Sequence, residues 1–397
     1  MCRITLVSLL LLPPLVFAHG DGGHGEAASA TLEVGGAVAL SHYSAGVTDP
    51  DGLWRIPGLL MGGEAFPVEK GTRLDAASLW GRYALGGQAN LHAAVGAHTH
   101  GSETSLALES LYFDYQWQRE QPVYMALGLM DAAFSPQAST HTSSREFAEN
   151  ALLADAFWGG SIHDKAVRLE WQAAADVKAG MEIREGDFFP ASRDGSAKDV
   201  YVEMGRTWAG WQAKGGVWGM RTEAHNRADT RYQAGHSHGT SSTVPADVRF
   251  TGKSKLLGAW LDLAAPAGHG LEPSLQYEWV NAQEDGKLFD TTHLANYVAD
   301  HLGYALTPAV RYGKAHLSYR FERLSLENRL AGAGAQVLAE DANLLTRDHP
   351  TKQTLQLGLD AGKSLTLRAA YTFDQTLAED DQRFSVGMVW QGALYRK

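Results

Sequence analysis

Residues 364–375 read Ser-Leu-Thr-Leu-Arg-Ala-Ala-Tyr-Thr-Phe-Asp-Gln and alternate between two kinds of side chain along their whole length. The apolar set consists of Leu365, Leu367, Ala369, Tyr371 and Phe373. The other set is mostly polar and consists of Thr366, Arg368, Ala370, Thr372 and Asp374. Because successive side chains of a β-strand point to opposite faces, this period of two predicts a strand with one apolar and one polar face.

The same alternation recurs along the chain, for example in residues 105–118, 166–172 and 315–324. Most of the alternating segments are about 10–15 residues long, which exceeds the usual 5–6 of soluble sheets and suits tilted strands that cross a bilayer. The pattern predicts about sixteen strands, at 31–45, 73–85, 88–100, 105–118, 122–134, 166–173, 177–186, 198–209, 211–225, 249–264, 271–285, 294–306, 314–328, 351–362, 364–375 and 381–391.

The links between these strands alternate in length. The short links are 86–87, 119–121, 174–176, 210 and 363, and the long ones are 46–72, 135–165, 226–248 and 329–350. A soluble β-sandwich has no reason to alternate in this way, whereas outer-membrane barrels combine short periplasmic turns with long extracellular loops. We therefore predict an all-β fold, a closed antiparallel transmembrane β-barrel. Its apolar faces should meet lipid, its polar faces should line a wet lumen, and both termini should lie in the periplasm.

The first eighteen residues predict a cleaved secretory signal, with Arg3 ahead of the apolar run 4–17. We expect the mature chain to begin at His19. A flexible segment rich in His and Gly should cover 19–30, and a single barrel domain should cover 31–397. The predicted location is the outer membrane of a Gram-negative bacterium, where lipid and lipopolysaccharide surround the barrel.

The composition excludes several classes of function. The single cysteine, Cys2, lies in the signal, so the mature chain has no thiol for a disulfide, a thiolate metal site or a cysteine nucleophile. With 45 acidic and 34 basic residues the chain carries a net charge of -11, which argues against nucleic-acid binding. The one Gly-x-Ser-x-Gly match, at 235–239, falls in the predicted long link 226–248 and not between a strand and a helix, and we expect no enzymatic activity.

Residues 128–164 carry a more specific signal. They contain Gly-Leu-Met at 128–130, Phe-Ser-Pro at 134–136, Thr-Ser-Ser-Arg-Glu-Phe at 142–147 and Leu-Leu at 152–153. This region resembles the third loop of the phosphate-selective porin family and of sixteen-stranded outer-membrane porins in general. The resemblance implies a long third loop that folds back into the pore and narrows it.

The charged residues of this loop region are candidates for the pore constriction, and we expect them to be solvated. They are His141, Arg145, Glu146, Glu149, Asp155, His163 and Asp164. Their alternative role is loop solubility and hydrogen bonding to the barrel wall. The predicted lumen face carries charges of both signs, at Arg168, Glu170, Glu182, Arg184, Arg320, Glu322 and Arg368. Because selectivity for phosphate depends on rows of basic residues, the family's anion preference is not expected here.

Histidine is frequent, with 16 in the chain, and several lie two residues apart. Imidazole suits Zn(II) and Cu(II), so the candidate metal ligands are His19, His24, His98, His100, His236 and His238. The alternative is that exposed polar loops simply contain histidine. No cofactor is required by either interpretation.

These observations lead to two hypotheses about function. The first is passive diffusion of small hydrophilic solutes or ions through a pore narrowed by the third loop, with a homotrimer as a compatible assembly. The second is a barrel that binds or imports zinc or copper through a His-rich rim.

Overall fold

The computed structural model describes residues 31–47, 54–100, 103–117, 122–231, 247–345, 349–377 and 381–397. The predicted signal peptide and the candidate ligands His19, His24, His236 and His238 lie outside the described residues. The backbone of His100 is described, but its side chain is not. No helix in the described ranges is long and apolar enough to cross a bilayer.

Sixteen antiparallel strands form one closed barrel, as predicted. Each strand pairs with its neighbours in sequence, and the last pairs with the first, where Trp390 lies opposite Val38. The strands are β1 (Leu32–Tyr43), β2 (Gly71–Gly86), β3 (Ala89–His100), β4 (Glu103–Gln116), β5 (Val123–Asp131), β6 (His163–Ala174), β7 (Val177–Arg184), β8 (Ser196–Trp208), β9 (Trp211–Ala228), β10 (Arg249–Ala264), β11 (Leu271–Phe289), β12 (Leu294–Tyr312), β13 (Ala315–Ala331), β14 (Thr351–Asp360), β15 (Leu365–Gln375) and β16 (Asp381–Arg396). Closure leaves no unpaired sheet edge.

β11 and β12 are longer than predicted, at 19 residues each. Pro308 lies within β12, beyond the predicted end at residue 306, and pairs with Leu275 of β11. On the other side, the pairing of β12 with β13 passes from Leu306 directly to Ala309. The strand therefore tolerates a proline, which has no N–H to donate, because the ladder is interrupted only on that side.

The two faces of β15 behave as the alternation predicts. Leu367 and Tyr371 are 42% and 47% exposed on the outside, where lipid would lie. Arg368, Thr372 and Asp374 point inward and are buried. The same arrangement holds around the barrel, where most large exposed side chains are Leu, Val, Met or aromatic residues.

The described parts of the loops contain three short α-helices, α1 (Pro136–Ser139), α2 (Leu152–Trp158) and α3 (Ala335–Asp341), and a 3-10 helix at Thr142–Ser144. Loop 3, residues 132–162, connects β5 to β6 and contains α1 and α2. All seven residues of α2 are buried. Loop 1, residues 44–70, meets loop 3 where the amide of Glu64 donates to the carbonyl of Gly159 at 2.7 Å.

One sector of the lumen differs from the expectation of a polar inner face. On β9, β10, β11 and β13 the inward side chains include Trp218, Met220, Leu256, Trp260, Val280 and Leu324, and these pack with α2 in one buried cluster. Because α2 is buried and consists of apolar residues apart from Asp155, its contacts with this wall are mostly apolar. The prediction that the inner strand faces are polar is therefore wrong in this sector.

Gly303 of β12 shows how closely α2 approaches this wall. A Cβ at residue 303 would lie 2.4 Å from Leu153 Cδ2 and 2.7 Å from Phe157 Cε2. The missing side chain thus makes room for the helix.

Candidate functional site

The barrel encloses a cavity of about 2100 Å³. It is bordered by the short turns at 175–176, 210, 265–267 and 362–364. These turns lie on the rim where the first strand begins and the last strand ends. Loop 3 contributes residues 144–146 to the lining. The cavity therefore extends from the rim predicted to be periplasmic up to the inward-folded loop.

Charges of both signs line this cavity, with eight Lys or Arg and six Asp or Glu side chains. Several of them pair across the wall. Glu203 of β8 lies 3.1 Å from Lys178 Nζ of β7 and 3.7 Å from Lys214 Nζ of β9. Sequence reasoning did not single out these three residues, although the period of two on each strand places them on the inner face.

The seven predicted lumen residues all face the interior, but only Arg368 lines the cavity. Glu170 accepts from Tyr201 and lies 3.4 Å from Lys178 Nζ. The remaining five contact each other and loop 3. Of the predicted lumen charges, one therefore lines the cavity, and the other six make ion pairs and hydrogen bonds within the wall or to the chain at loop 3.

The first group of these charges lies beneath the start of loop 3. Glu182 pairs with Arg168 and with Arg184, whose Nη2 lies 2.6 Å from its carboxylate. Both arginines also donate to backbone carbonyls just ahead of the loop, Arg184 to Met130 at 3.2 Å and Arg168 to Asp131. The cluster thus holds the end of β5.

The second group holds α2. Arg320 Nη2 donates to the carbonyls of Glu149 and Asn150 at 3.2 and 3.1 Å. Glu322 accepts from the amide of Leu152 at 2.5 Å. Since Ala151 provides no side-chain cap, this carboxylate from β13 satisfies a free amide at the helix start, where negative charge is favoured.

Among the predicted constriction residues, only Arg145 and Glu146 line the cavity. Glu146 is exposed and accepts from Ser318 of the wall. Arg145 Nη2 donates to the carbonyl of Gly160 at 3.1 Å, and its Nε donates to that of Thr140 at 3.2 Å. Burial lowers the pKa of Arg145 to about 10, which still leaves it charged at neutral pH.

Glu149 is buried against β15 and β16. Its carboxylate accepts from Arg383 at 2.8 and 2.5 Å and from Thr372 at 3.3 Å. Burial acts to raise the pKa of Glu149, but Arg383, Lys352 and Arg320 together lower it more, and the result is about 2. The carboxylate is therefore ionised throughout the physiological range.

Asp155, His163 and Asp164 do not reach the cavity lining. Asp155 lies inside α2, accepts from Asn150 at 2.7 Å, and burial raises its pKa. His163 lies 3.4 Å from Asp131 at the base of the loop, and Asp164 accepts from the amide of Gly186 at 2.6 Å. The expectation that the loop charges are solvated is therefore wrong for Glu149, Asp155 and Asp164, which are all buried.

Two of the histidines come together in a way that the sequence did not indicate. His98 of β3 and His141 of loop 3 both approach the carboxylate of Glu109 on β4. Glu109 was not a candidate, because β4 contains an irregularity that strict alternation does not anticipate. These three residues are the candidate metal ligands within the described ranges.

Comparison with known proteins identifies the fold. No family model and no curated protein matches the chain. Among solved structures, Pseudomonas putida OprB matches with a TM-score of 0.54 at 10% identity, covering 91% of this chain and 94% of its own. The outer membrane channel DcaP of Acinetobacter baumannii matches with 0.53 at 11% identity, covering 94% and 100%. The trimer form of Vibrio cholerae OmpT, an outer membrane protein, matches with 0.50 at 11% identity, covering 92% and 100%.

The chain thus has the fold of the sixteen-stranded outer-membrane porins, as the resemblance of residues 128–164 predicted.

Proposed function

We propose that the chain is an outer-membrane porin through which small hydrophilic solutes or ions diffuse. The observation that carries this proposal is the cavity of about 2100 Å³, which is lined by charged and polar side chains inside a barrel with an apolar outer face. Water can fill such a cavity, and solutes can enter it from the short-turn rim. In the proposal, Arg145 and Glu146 at the loop 3 end form the narrowest part of the path.

The nearly balanced lining favours weak charge selectivity. Ion pairs such as Glu203 with Lys178 cancel much of the local field, so neither anions nor cations are strongly excluded. This distinguishes the proposed pore from one that selects phosphate with rows of basic residues.

The proposal places the mature chain in the outer membrane after export and signal cleavage, with lipid and lipopolysaccharide around it. A homotrimer is the assembly we propose, supported by the trimer form of Vibrio cholerae OmpT. We propose no catalysis and no required cofactor, in keeping with passive diffusion through the pore.

Liposome swelling tests the proposal directly. Liposomes that contain the refolded protein should swell in small sugars at rates that fall steeply as the sugar becomes larger. Heat-modifiable migration on gels should first establish that the barrel has folded. Folded protein that gives no swelling with any small solute would contradict the proposal.

A further inference from the structure

We propose that His98, Glu109 and His141 form a binding site for a divalent transition-metal ion, which fastens loop 3 to the barrel wall. The proposal concerns a different part of the lumen from the cavity and does not require that the pore conducts. It shares His98 with the candidate ligands inferred from the sequence and adds Glu109 and His141.

The three side chains are arranged much like the ligands around a bound metal ion. Nε2 of His98 lies 2.9 Å from Glu109 Oε1, and Nε2 of His141 lies 2.8 Å from the same oxygen. The three ligand atoms all lie within 4.8 Å of one another. In a tetrahedral zinc site with bonds of about 2.0–2.1 Å, ligand atoms lie about 3.3 Å apart. Small side-chain movements would therefore admit the ion.

The backbone is arranged so that the carboxylate reaches this place. The pairing of β3 with β4 shifts after Ala94, so that Ala94 faces Ser110, Val95 faces Leu108, and Glu109 has no partner. Such a bulge redirects a side chain, and bulges are frequent near functional sites. A Cβ at Gly96 would lie 1.6 Å from Glu109 Oε1, so only glycine leaves space for the carboxylate there.

The cluster also has bonding capacity that its own hydrogen bonds do not use. Glu109 Oε2 is buried and makes no hydrogen bond with the described residues. Nδ1 of His141 lies 2.7 Å from Ser143 Oγ. Nδ1 also accepts from the amide of Ser143 at 3.2 Å. If Nε2 binds a metal, Nδ1 carries the proton and gives up the bond from this amide, and it then donates to the hydroxyl, which fixes the ring orientation.

Other histidines in the described part of the chain show what an ordinary histidine–carboxylate pair looks like. His92 pairs with Asp114, and His293 pairs with Asp290 at 2.8 Å. Each of these pairs has one imidazole and no third ligand, and neither belongs to a group that could hold an ion. A second imidazole therefore separates the proposed site from these simple pairs.

Two imidazoles and one carboxylate suit zinc or copper, whereas calcium and magnesium prefer oxygen ligands alone. The ligands come from two parts of the fold, since His98 and Glu109 lie on the wall and His141 lies on loop 3. A bound ion would thus restrain the loop at His141, ten residues past the last residue of β5.

Zinc binding to the refolded mature chain tests the site. The background protein should carry Gln at His19, His24, His236 and His238, so that these other histidines do not contribute. Calorimetry should then show one zinc ion per chain. His98→Gln and His141→Gln should each weaken binding by more than about tenfold, since losing a ligand should exceed the loss caused by removing a ligand's own partner. The matched control His92→Gln should leave the affinity unchanged.

A second measurement separates metal binding from a purely structural role. Zinc should raise the unfolding temperature of the background protein and of His92→Gln, but not that of His141→Gln, because only a chain that binds the ion is stabilised by it. Heat-modifiable migration establishes that each variant has folded. A folded background protein that binds no zinc, or a folded His141→Gln variant that binds it equally well, would overturn the proposal. Neither result would bear on whether the pore admits sugars.

Discussion

Glu149 of loop 3 and Arg383 of β16 form a buried ion pair with two short contacts, at 2.8 and 2.5 Å. Arg383 also lies 2.7 Å from Asp374 of the neighbouring strand. Three strands along the same wall, Arg320 and Glu322 of β13 bind the backbone at 149–152. Loop 3 is therefore fixed to the wall at two neighbouring places, which holds Arg145 and Glu146 at the cavity.

Removing the Glu149 charge should destabilise the protein. Breaking a buried ion pair costs about 3–5 kcal/mol. We expect the cost of Glu149→Gln to fall near the lower value, because Arg383 retains its ion pair with Asp374. Denaturant unfolding of the refolded barrel measures this. Glu185→Gln is the control, since Glu185 forms an exposed pair with Lys165 that is worth about 0–1 kcal/mol. Equal effects of the two substitutions would contradict the buried pair.

The same pair predicts a definite pH dependence. The pKa of Glu149 is lowered to about 2 in the folded protein, from an ordinary value near 4.5. A depressed carboxyl pKa stabilises the folded state above the unfolded pKa and loses this contribution as pH falls through the folded pKa. The difference in unfolding free energy between wild type and Glu149→Gln should be constant above about pH 5 and shrink toward pH 2. A difference that already declines between pH 7 and 5 would be inconsistent with this pKa.

Glu146 should affect ion selectivity without affecting stability. It is exposed and lines the cavity, so Glu146→Gln removes one negative charge from the permeation path at a cost within about 0.5 kcal/mol. The reversal potential in a salt gradient should shift toward anion preference. Glu185→Gln removes the same charge away from the lining and should leave the reversal potential unchanged. If both variants behave alike, loop 3 does not border the path.

Because α2 packs closely on the wall, a larger side chain at residue 303 should destabilise the protein. Gly303→Ala places a methyl group 2.4 Å from Leu153 Cδ2, and overpacking of this kind costs about 1–3 kcal/mol. Gly219→Ala is the matched control, because its nearest contact would be the carbonyl of Leu256 at 3.8 Å. Denaturant unfolding should separate the two variants, and a neutral Gly303→Ala would mean that α2 does not pack against β12.

Sequence alternation was sufficient to predict the barrel, because each strand repeats the same two-faced pattern and the link lengths agree with it. It could not show that the inner face near Trp218 and Leu256 is apolar. The signal was present, since Val217 to Met220 and Leu256 to Leu261 have apolar residues on both faces. Alternation explains an apolar outer face, which meets lipid. It does not explain an apolar inner face on the same strand, because that face is explained only by its packing against α2.

The connections of loop 3 could not be predicted from sequence for a different reason. Glu149 and Arg383 are 234 residues apart, and they meet only because the barrel closes and the loop turns inward. Glu109 was missed because its inward position depends on a bulge that interrupts the alternation. Local patterns identify strands, whereas these contacts depend on how the whole barrel closes.

Single-channel conductance in planar lipid bilayers is the most direct test of a water-filled path narrowed by loop 3. The refolded wild-type protein should give discrete, stable current steps of one size. Glu149→Gln, which releases the loop from Arg383, should give larger or fluctuating steps, whereas Glu185→Gln should match the wild type. Heat-modifiable, folded protein that inserts but carries no current at either polarity, in wild type and in Glu149→Gln alike, would contradict the account.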